Sequence, residues 1–482
     1  MKLNKICDKN ITFGDCELTI LRLAVDNAEK KLGKRIVSSE NVIKMIEIVE
    51  NFIKRKNLIC YGGTAINNIL PKDSQFYDKE TEIPDYDFFT TNALNDAKEL
   101  ADIYYKEGFE DVEAKSGIHH GTYKVFVNYT PVADITSIPK EIFSVLKKES
   151  IRVSGILYAP PNFLRMSMHL ELSRPAGDIS RWEKVLKRLT LLNKYYPITN
   201  IDCNKVDLQR DLATTYEDVK KNEIYDTIIK TFISQGVVFF GGYAISQYKK
   251  LMKHNKKDNR VSDFDVLSKT PKVTAEIIKE RLNDIGVSKV KIIRHEAIGE
   301  LVPLHYELKI GVDTVAFIYE PVSCHSYNLI NIKGEKVKIA TIDTILSFYL
   351  AFLYANKPYY NEFIDRTICL SKFLFDVQQE NRLSQNGVLK RFSIVCYGRH
   401  HGLDDSRTEK AKKFIELKNK RGTKEFEEWF LNYVPGNKTE SKEGKESKSK
   451  RESKRKKRNY PYTKNSKKSK NPYNRTRKMK FW

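Results

Sequence analysis

The chain has 482 residues, enough to bury several cores, and its 40% hydrophobic and 11% aromatic content excludes a disordered or fibrous protein. Its net charge of +23 is uneven, because residues 437–482 carry 19 Lys/Arg against 4 Asp/Glu and leave +8 on the rest, so a polyanionic partner such as nucleic acid is expected. Seven cysteines without a Cys-x-x-Cys pair and a start without a signal-peptide core point to ordinary thiols in a reducing compartment, and the most apolar run, Ile345 to Tyr354, is too short to span a membrane.

Residues 1–57 read as a helical segment. Val42, Met45, Ile46, Val49, Phe52 and Ile53 recur at helical spacing, with Ser38 or Ser39 as the cap. A first lobe is expected over 58–145. In it Leu58-Ile59-Cys60 is a short buried strand, a helix starts near Thr64 and stops before Pro71, and Asp85 to Phe89 is the next strand. Ala93 to Glu107 is helical, Tyr123 to Tyr129 alternates as a half-buried strand, and Val132 to Ile135 lies beside it. Residues 146–215 form a helical connector. A second lobe over 216–335 repeats the order: a helix around Ile224 to Ile233, a strand Val237 to Phe240, a helix Val273 to Ile285, and an alternating strand Leu304 to Val312 that ends at Asp313. Residues 336–435 are a C-terminal helical region. Residues 436–482, rich in Lys, Ser, Asn and Glu, are a disordered basic tail.

The repeat also carries chemistry. Tyr61-Gly62-Gly63-Thr64 and Pro84-Asp85-Tyr86-Asp87 recur as Phe240-Gly241-Gly242-Tyr243 and Ser262-Asp263-Phe264-Asp265, shifted by 179 residues at the glycines and 178 at the first aspartate. Asp134 and Asp313, again 179 apart, are the candidate third carboxylates. Residues i and i+2 of a strand share a face, so Asp85 and Asp87 project together, as do Asp263 and Asp265. Paired carboxylates repel unless a cation lies between them, and an all-oxygen site suits magnesium or manganese. A third carboxylate completes a site for the two-ion chemistry of in-line phosphoryl displacement. The Gly-Gly turn before a helix lets backbone approach a phosphate at a helix N-terminus, and Thr64 adds a hydroxyl. Neither a Walker phosphate loop nor a Gly-x-Ser-x-Gly elbow is present.

Residues Tyr61 to Asn68, Pro84 to Phe89, Ala133-Asp134-Ile135, and Glu171 to Pro175 running on to Val185 resemble the nucleotidyltransferase superfamily typified by DNA polymerase beta. More closely, they resemble the poly(A) polymerases of large cytoplasmic DNA viruses, of the mimivirus and African swine fever virus type, with the poxvirus subunit a distant relative. The resemblance covers residues from about 1 to 430. It implies an α/β (α+β) fold with two tandem nucleotidyltransferase-like lobes. It implies template-independent addition of AMP from ATP to the 3′ end of viral mRNA with Mg²⁺ or Mn²⁺, in the host cytoplasm or packaged in the virion. It also implies a homodimer, with viral transcription or capping proteins as further partners. Asp85, Asp87 and Asp134 are then the catalytic and metal-binding residues, and Gly62, Gly63 and Thr64 hold the triphosphate. The stretch Ser173-Arg174 and Arg181 to Lys187 is a candidate base and ribose lining. The second copy has Tyr243 where the first has Thr64, a bulky group expected to crowd the phosphate, and its basic segment Lys249 to Arg260 suits an RNA surface. Another NTP as substrate, or a non-catalytic RNA-binding or processivity subunit, are the alternatives.

Overall fold

The computed structural model describes residues 11–78, 80–198, 201–208, 218–252, 263–399 and 402–436. The tail expected as disordered lies outside them, as do His400-His401 and most of the basic segment before Ser262. Two N-terminal helices, α1 (Phe13–Val37) and α2 (Glu40–Lys56), are separated at Ser38-Ser39, where the Ser39 side chain accepts from Val42 N. The first lobe follows as β1 (Ile59–Cys60), α3 (Gly62–Ile69), β2 (Tyr86–Thr90), α4 (Ala93–Lys106), β3 (Val112–Ser116), β4 (Thr122–Val127), β5 (Thr130–Ser137), α5 (Lys140–Glu149), β6 (Ile151–Val153) and β7 (Ile156–Tyr158). Then come α6 (Pro161–Leu172) and α7 (Trp182–Tyr195).

The second lobe comprises α8 (Asp218–Ser234), β8 (Val238–Phe239), α9 (Gly242–Lys249), β9 (Phe264–Leu267), α10 (Pro271–Asp284), β10 (Val290–His295), β11 (His305–Ile310), β12 (Asp313–Tyr319), β13 (His325–Ile332) and β14 (Glu335–Ala340). It is followed by α11 (Ile342–Phe352), α12 (Pro358–Asn361), α13 (Ile364–Glu380), β15 (Cys396–Tyr397), α14 (Leu403–Leu417), α15 (Lys424–Phe430) and β16 (Asn432–Tyr433).

The duplication is visible strand by strand. One sheet runs β3-β4-β5-β2-β1-β7-β6 and the other β10-β11-β12-β9-β8-β14-β13, with β16 added beside β3 and β15 beside β13. In each, the third and fourth strands of this run pair alike: β2 pairs parallel with β5, and β9 with β12. Likewise β1 pairs parallel with β7, and β8 with β14. The β6–β7 hairpin lies beyond residue 145, in the stretch read as connector. Its turn, Ser154-Gly155, has positive φ at both residues, the geometry a tight hairpin needs, and its strands are too short for alternation to announce them.

Each sheet buries one face against helices. On the first, α2 contributes Val42, Met45, Val49, Phe52 and Ile53, and the strands contribute Tyr86, Phe88, Val125 and Ile135. Fully burying one such large apolar side chain stabilises by about 1.5–3 kcal/mol. The lobes meet through α6 and α11, the helices that follow the equivalent strands β7 and β14. There His169 Nδ1 lies 2.8 Å from Asp343 Oδ1, and Arg391 Nη2 reaches the same oxygen at 3.0 Å.

The cysteines depart from the expectation of ordinary thiols. Cys203–Cys369 and Cys324–Cys396 are disulfides, 166 and 72 residues apart in sequence. Chain folding brings these pairs together, so spacing alone carried no sign of them. Cys60 is a buried thiol. Among the described residues no helix is long and apolar enough to cross a membrane.

Candidate active site

Parallel pairing of β2 with β5 puts Asp87 directly opposite Asp134, and β4 puts Lys124 opposite Asp134 from the other side. Asp85 stands just before β2. The three carboxylates therefore converge on the sheet face away from α2, because Tyr86 and Phe88, which alternate with them, are buried against the helices. Lys124 Nζ is hydrogen-bonded to Asp134 Oδ2, while Asp134 Oδ1 is buried with no hydrogen-bond partner among the described residues. Burial, reinforced by Asp85 and Asp134, pushes the Asp87 carboxyl up to about 7, with Lys124 and Arg181 pulling the other way. Burial and then Asp134 also raise Asp85, against Lys124. Asp85 and Asp87, their charge disfavoured by burial and by the neighbouring Asp134, ask for a cation.

The donor set answers which kind of cation fits. It is all carboxylate, it has an orphaned buried oxygen on Asp134, and it matches a hard divalent ion of the magnesium or manganese type. Among the described residues no three acidic, His or Cys side chains already form a closed ion cage. Lys124 meanwhile holds one Asp134 oxygen in an ion pair.

The glycines lie against this cluster. Gly62 has φ of 72°, and a Cβ built on it would stand 2.4 Å from Asp87 Oδ2. Only glycine satisfies both constraints. The helix begins at Gly62 rather than Thr64, with Tyr61 as its N-cap, so both glycines fall in the first turn. Thr64 is 4% exposed, and its hydroxyl donates to the Asp85 carbonyl at 2.6 Å. The structure therefore gives Thr64 the task of fixing the Asp85 backbone, and its proton is already committed rather than offered to a phosphate.

Sequence reasoning passed over the groups facing Gly63. A Cβ on Gly63 would lie 2.5 Å from the Tyr77 hydroxyl and 2.8 Å from Arg188 Nη1. Arg188 donates to Tyr77 Oη at 2.5 Å and lies over the Phe76 ring. Arg181, Lys184 and Arg188 recur at i, i+3 and i+7, one helical face, and burial together with Arg188 and Arg181 depresses the Lys184 ammonium. This basic face was legible as spacing within Arg181 to Arg188, but its pairing with Gly63 comes from tertiary packing. Of the remaining candidates, Ser173 donates to the Leu170 carbonyl, Trp182 donates to the Glu171 carbonyl, and Val185 is core. Arg174 lines a cavity between the lobes together with His119 and His120.

The second copy is built differently. A Cβ on Gly241 would again crowd Asp265, at 2.4 Å from Oδ2, so the close approach persists. In register, however, Asp265 faces Phe317, and Glu307 faces Phe317 from β11. Phe317 and Glu307 thus occupy the positions of Asp134 and Lys124. Asp313 opens β12 four residues earlier, about 13 Å along the strand, and is not the third carboxylate. The equal shift of 179 residues misled because a longer β10–β11 connection, residues 296–304 against 117–121 between β3 and β4, offsets the register of everything after it. Asp263 and Asp265 line a cavity of only about 30 Å³ with Tyr349, Phe352, Tyr360 and Arg366. Tyr243 is not what closes it: its ring packs on Phe239 and Phe264, residues of the opposite sheet face.

Two similar sheets, one presenting three convergent carboxylates beside a Gly-Gly helix start, make this a nucleotidyltransferase-type fold. Residues 47–178 match the family model described as poly(A) polymerase catalytic subunit. A protein of African swine fever virus (strain Badajoz 1971 Vero-adapted), carrying that name provisionally, is 34% identical over 193 residues, 39% of this chain and 40% of the relative. Its counterpart from Acanthamoeba polyphaga mimivirus is 34% identical over 210 residues, 41% of this chain and 35% of the relative. The match thus spans about two fifths of these relatives' length. The crystal structure of the Megavirus polyadenylate synthase superposes with a TM-score of 0.71 at 21% identity, covering 89% of this chain and 87% of that one.

Proposed function

We propose that the chain is a template-independent polynucleotide adenylyltransferase, which joins AMP from ATP to the 3′ end of RNA and releases pyrophosphate. The observation that carries this is the register pair Asp87–Asp134 with Asp85, set against the Gly62-Gly63 helix start. The family match over residues 47–178 supports the same reading and spans all of these residues. In this reading Asp85, Asp87 and Asp134 hold Mg²⁺ or Mn²⁺. When bound, the ions neutralise the carboxylates and lower the charge barrier between a 3′-oxygen and the triphosphate. Gly62 and Gly63 leave room for phosphate at the amino end of α3. Arg188, Lys184 and Arg181 supply the facing positive charge. Lys124 holds Asp134 in place before substrate arrives. The second lobe, its third carboxylate replaced by Phe317, serves as structure.

The test is incorporation on a labelled oligo(A) primer, each NTP offered separately with Mg²⁺ or Mn²⁺. Asp85→Ala/Asp87→Ala is expected to lower the rate more than about a hundredfold, the scale of losing transition-state charge stabilisation. Asp263→Ala/Asp265→Ala leaves primer extension to the first lobe. Full activity in the first double variant would overturn the assignment. Ladders with another NTP alone would favour a different terminal transferase, and a gel shift without extension a binding subunit.

The proposal extends to a second copy of the chain as partner. Leu18, Leu21, Val25 and Leu32 of α1 are exposed at near-heptad spacing, and no described residue of α1 is buried. Leu21→Asp/Val25→Asp should then shift sedimentation toward the monomer. It extends also to action in the host cytoplasm or the virion, beside viral transcription or capping proteins. Thiol trapping of the chain from infected cells checks the location, since Cys203–Cys369 and Cys324–Cys396 run against a reducing compartment.

A further inference from the structure

A sizeable cavity lies between the lobes, apart from the Gly-Gly turn. It measures about 540 Å³, within the range of about 300–1,000 Å³ for small-molecule pockets. On the first-lobe side it is bounded by Phe89, Thr122 and Thr136. Phe89 and Thr136 follow Asp87 and Asp134 by two residues on the same sheet face, about 6–7 Å further along each strand. Tyr61, stacked on Phe89 with ring centroids 3.9 Å apart, bonds Thr136 Oγ1 at 2.9 Å, and Thr136 also meets Thr122 Oγ1 at 3.1 Å. The cavity thus continues the carboxylate face beyond Asp134, while Arg188 and Gly63 lie at the other end.

Two residues of its wall carry buried nitrogens without a hydrogen-bond partner among the described residues. His325 is 1% exposed, and neither ring nitrogen has a hydrogen-bond partner among the described residues. Arg174 Nε is buried and likewise without a partner. The two are brought side by side because Ser326 N donates to the Ser173 carbonyl at 2.8 Å. An orphaned buried imidazole is costly unless something enters the cavity to bond it. Burial, and then the charge of Arg174, hold this imidazole neutral. A neutral imidazole offers one donor and one acceptor, which matches a base edge or a ribose hydroxyl. Phe89, Phe163 and Phe348 provide apolar wall, with His325 itself 5.1 Å from the Phe348 ring. Such a mix of flat apolar surface and a few polar groups is how unpaired RNA ends are held.

We propose that this cavity receives the 3′-terminal nucleoside of the RNA being extended, with His325 and Arg174 bonding its base edge or ribose hydroxyls. The inference rests on the adenylyltransferase reading and deepens it. A nucleoside seated here has its 3′-oxygen beside Asp134, and the triphosphate approaches from Gly63. His325 and Arg174 are positioning residues for the primer.

Steady-state extension of oligo(A) by wild type, His325→Leu and His325→Asn tests this, with KM for RNA and for ATP measured separately. His325→Leu is expected to raise KM for RNA about tenfold, the size of one lost buried hydrogen bond, and to change KM for ATP less than about twofold. His325→Asn keeps a donor and an acceptor and is expected to recover most of the loss. An unchanged RNA KM, or a rise confined to ATP, overturns the inference while leaving the enzymatic reading intact; absence of extension by wild type overturns the enzymatic reading. A second measurement needs no variant. Oligo(A) ending in a photoreactive nucleoside should crosslink to the 299–303 segment or Phe348 of the wild-type protein, in competition with unlabelled oligo(A). Crosslinks only elsewhere count against the site.

Discussion

At the scale of single residues, the candidate site depends on contacts with no slack. Gly62→Ala adds a Cβ in a positive-φ turn and against Asp87 Oδ2, and is expected to cost about 1–3 kcal/mol and to displace that carboxylate. Denaturant unfolding and primer extension on the purified variant check both effects. Arg188 stands 2.8 Å from the space above Gly63, so Arg188→Gln should raise KM for ATP about tenfold while leaving RNA affinity within twofold. Asp313→Asn, by contrast, should leave extension within about twofold, because its residue opens β12 away from Asp265. A large loss in that variant would mean that the second lobe takes part in the chemistry.

Elements explain why two copies of one motif diverged. The Gly-Gly turn and the Asp-x-Asp strand persist in both lobes because the close approach of Gly62 to Asp87 and of Gly241 to Asp265 is a packing requirement as much as a catalytic one. What separates the copies is a neighbouring strand. β5 sets Asp134 beside Asp87, whereas β12 sets Phe317 beside Asp265, and residues of α11 to α13 fill the space a substrate would need. Glu307, the counterpart of Lys124, is instead bonded by His295 and Thr314. The helices between the lobes form the other critical contact. Asp343→Ala strips Arg391 and His169 of their buried partner, and is expected to destabilise by about 3 kcal/mol in a urea melt. Asp343 itself is held down to about 2, chiefly by the Arg391 guanidinium working against burial.

For the molecule as a whole, buried histidines set an acid limit. Burial lowers His305 to about 4 and His325 to about 3, and lowers His169 as well. The unfolded chain takes up the His305 and His325 protons near pH 6.5, and the folded chain does not until about pH 4 and pH 3. Stability is therefore full above about 6.5 and falls as pH drops toward the folded values, by about 1.4 kcal/mol per pH unit for each such histidine. Urea midpoints at pH 7 and pH 5 should differ accordingly, and equal midpoints would contradict the burial. Reduction of Cys203–Cys369 and Cys324–Cys396 should lower stability by about 2–4 kcal/mol per bridge, read from melts with and without dithiothreitol.

By itself the sequence determined the duplicated two-lobe architecture and the local chemistry of the first copy. Period-2 and period-3.6 patterns, a Gly-Gly break and an Asp-x-Asp pair are local signals, and each survives folding because neighbours along the chain impose it. Only the tertiary structure decided the rest. It set Asp134 against Asp87 and Phe317 against Asp265, committed Thr64 to the Asp85 carbonyl, brought Arg188 over Gly63, paired cysteines 166 residues apart, and left His325 facing an interlobe cavity. These depend on strand register and on contacts between distant segments. A hairpin a few residues longer moves a carboxylate to another place on the sheet while the spacing along the chain still looks the same.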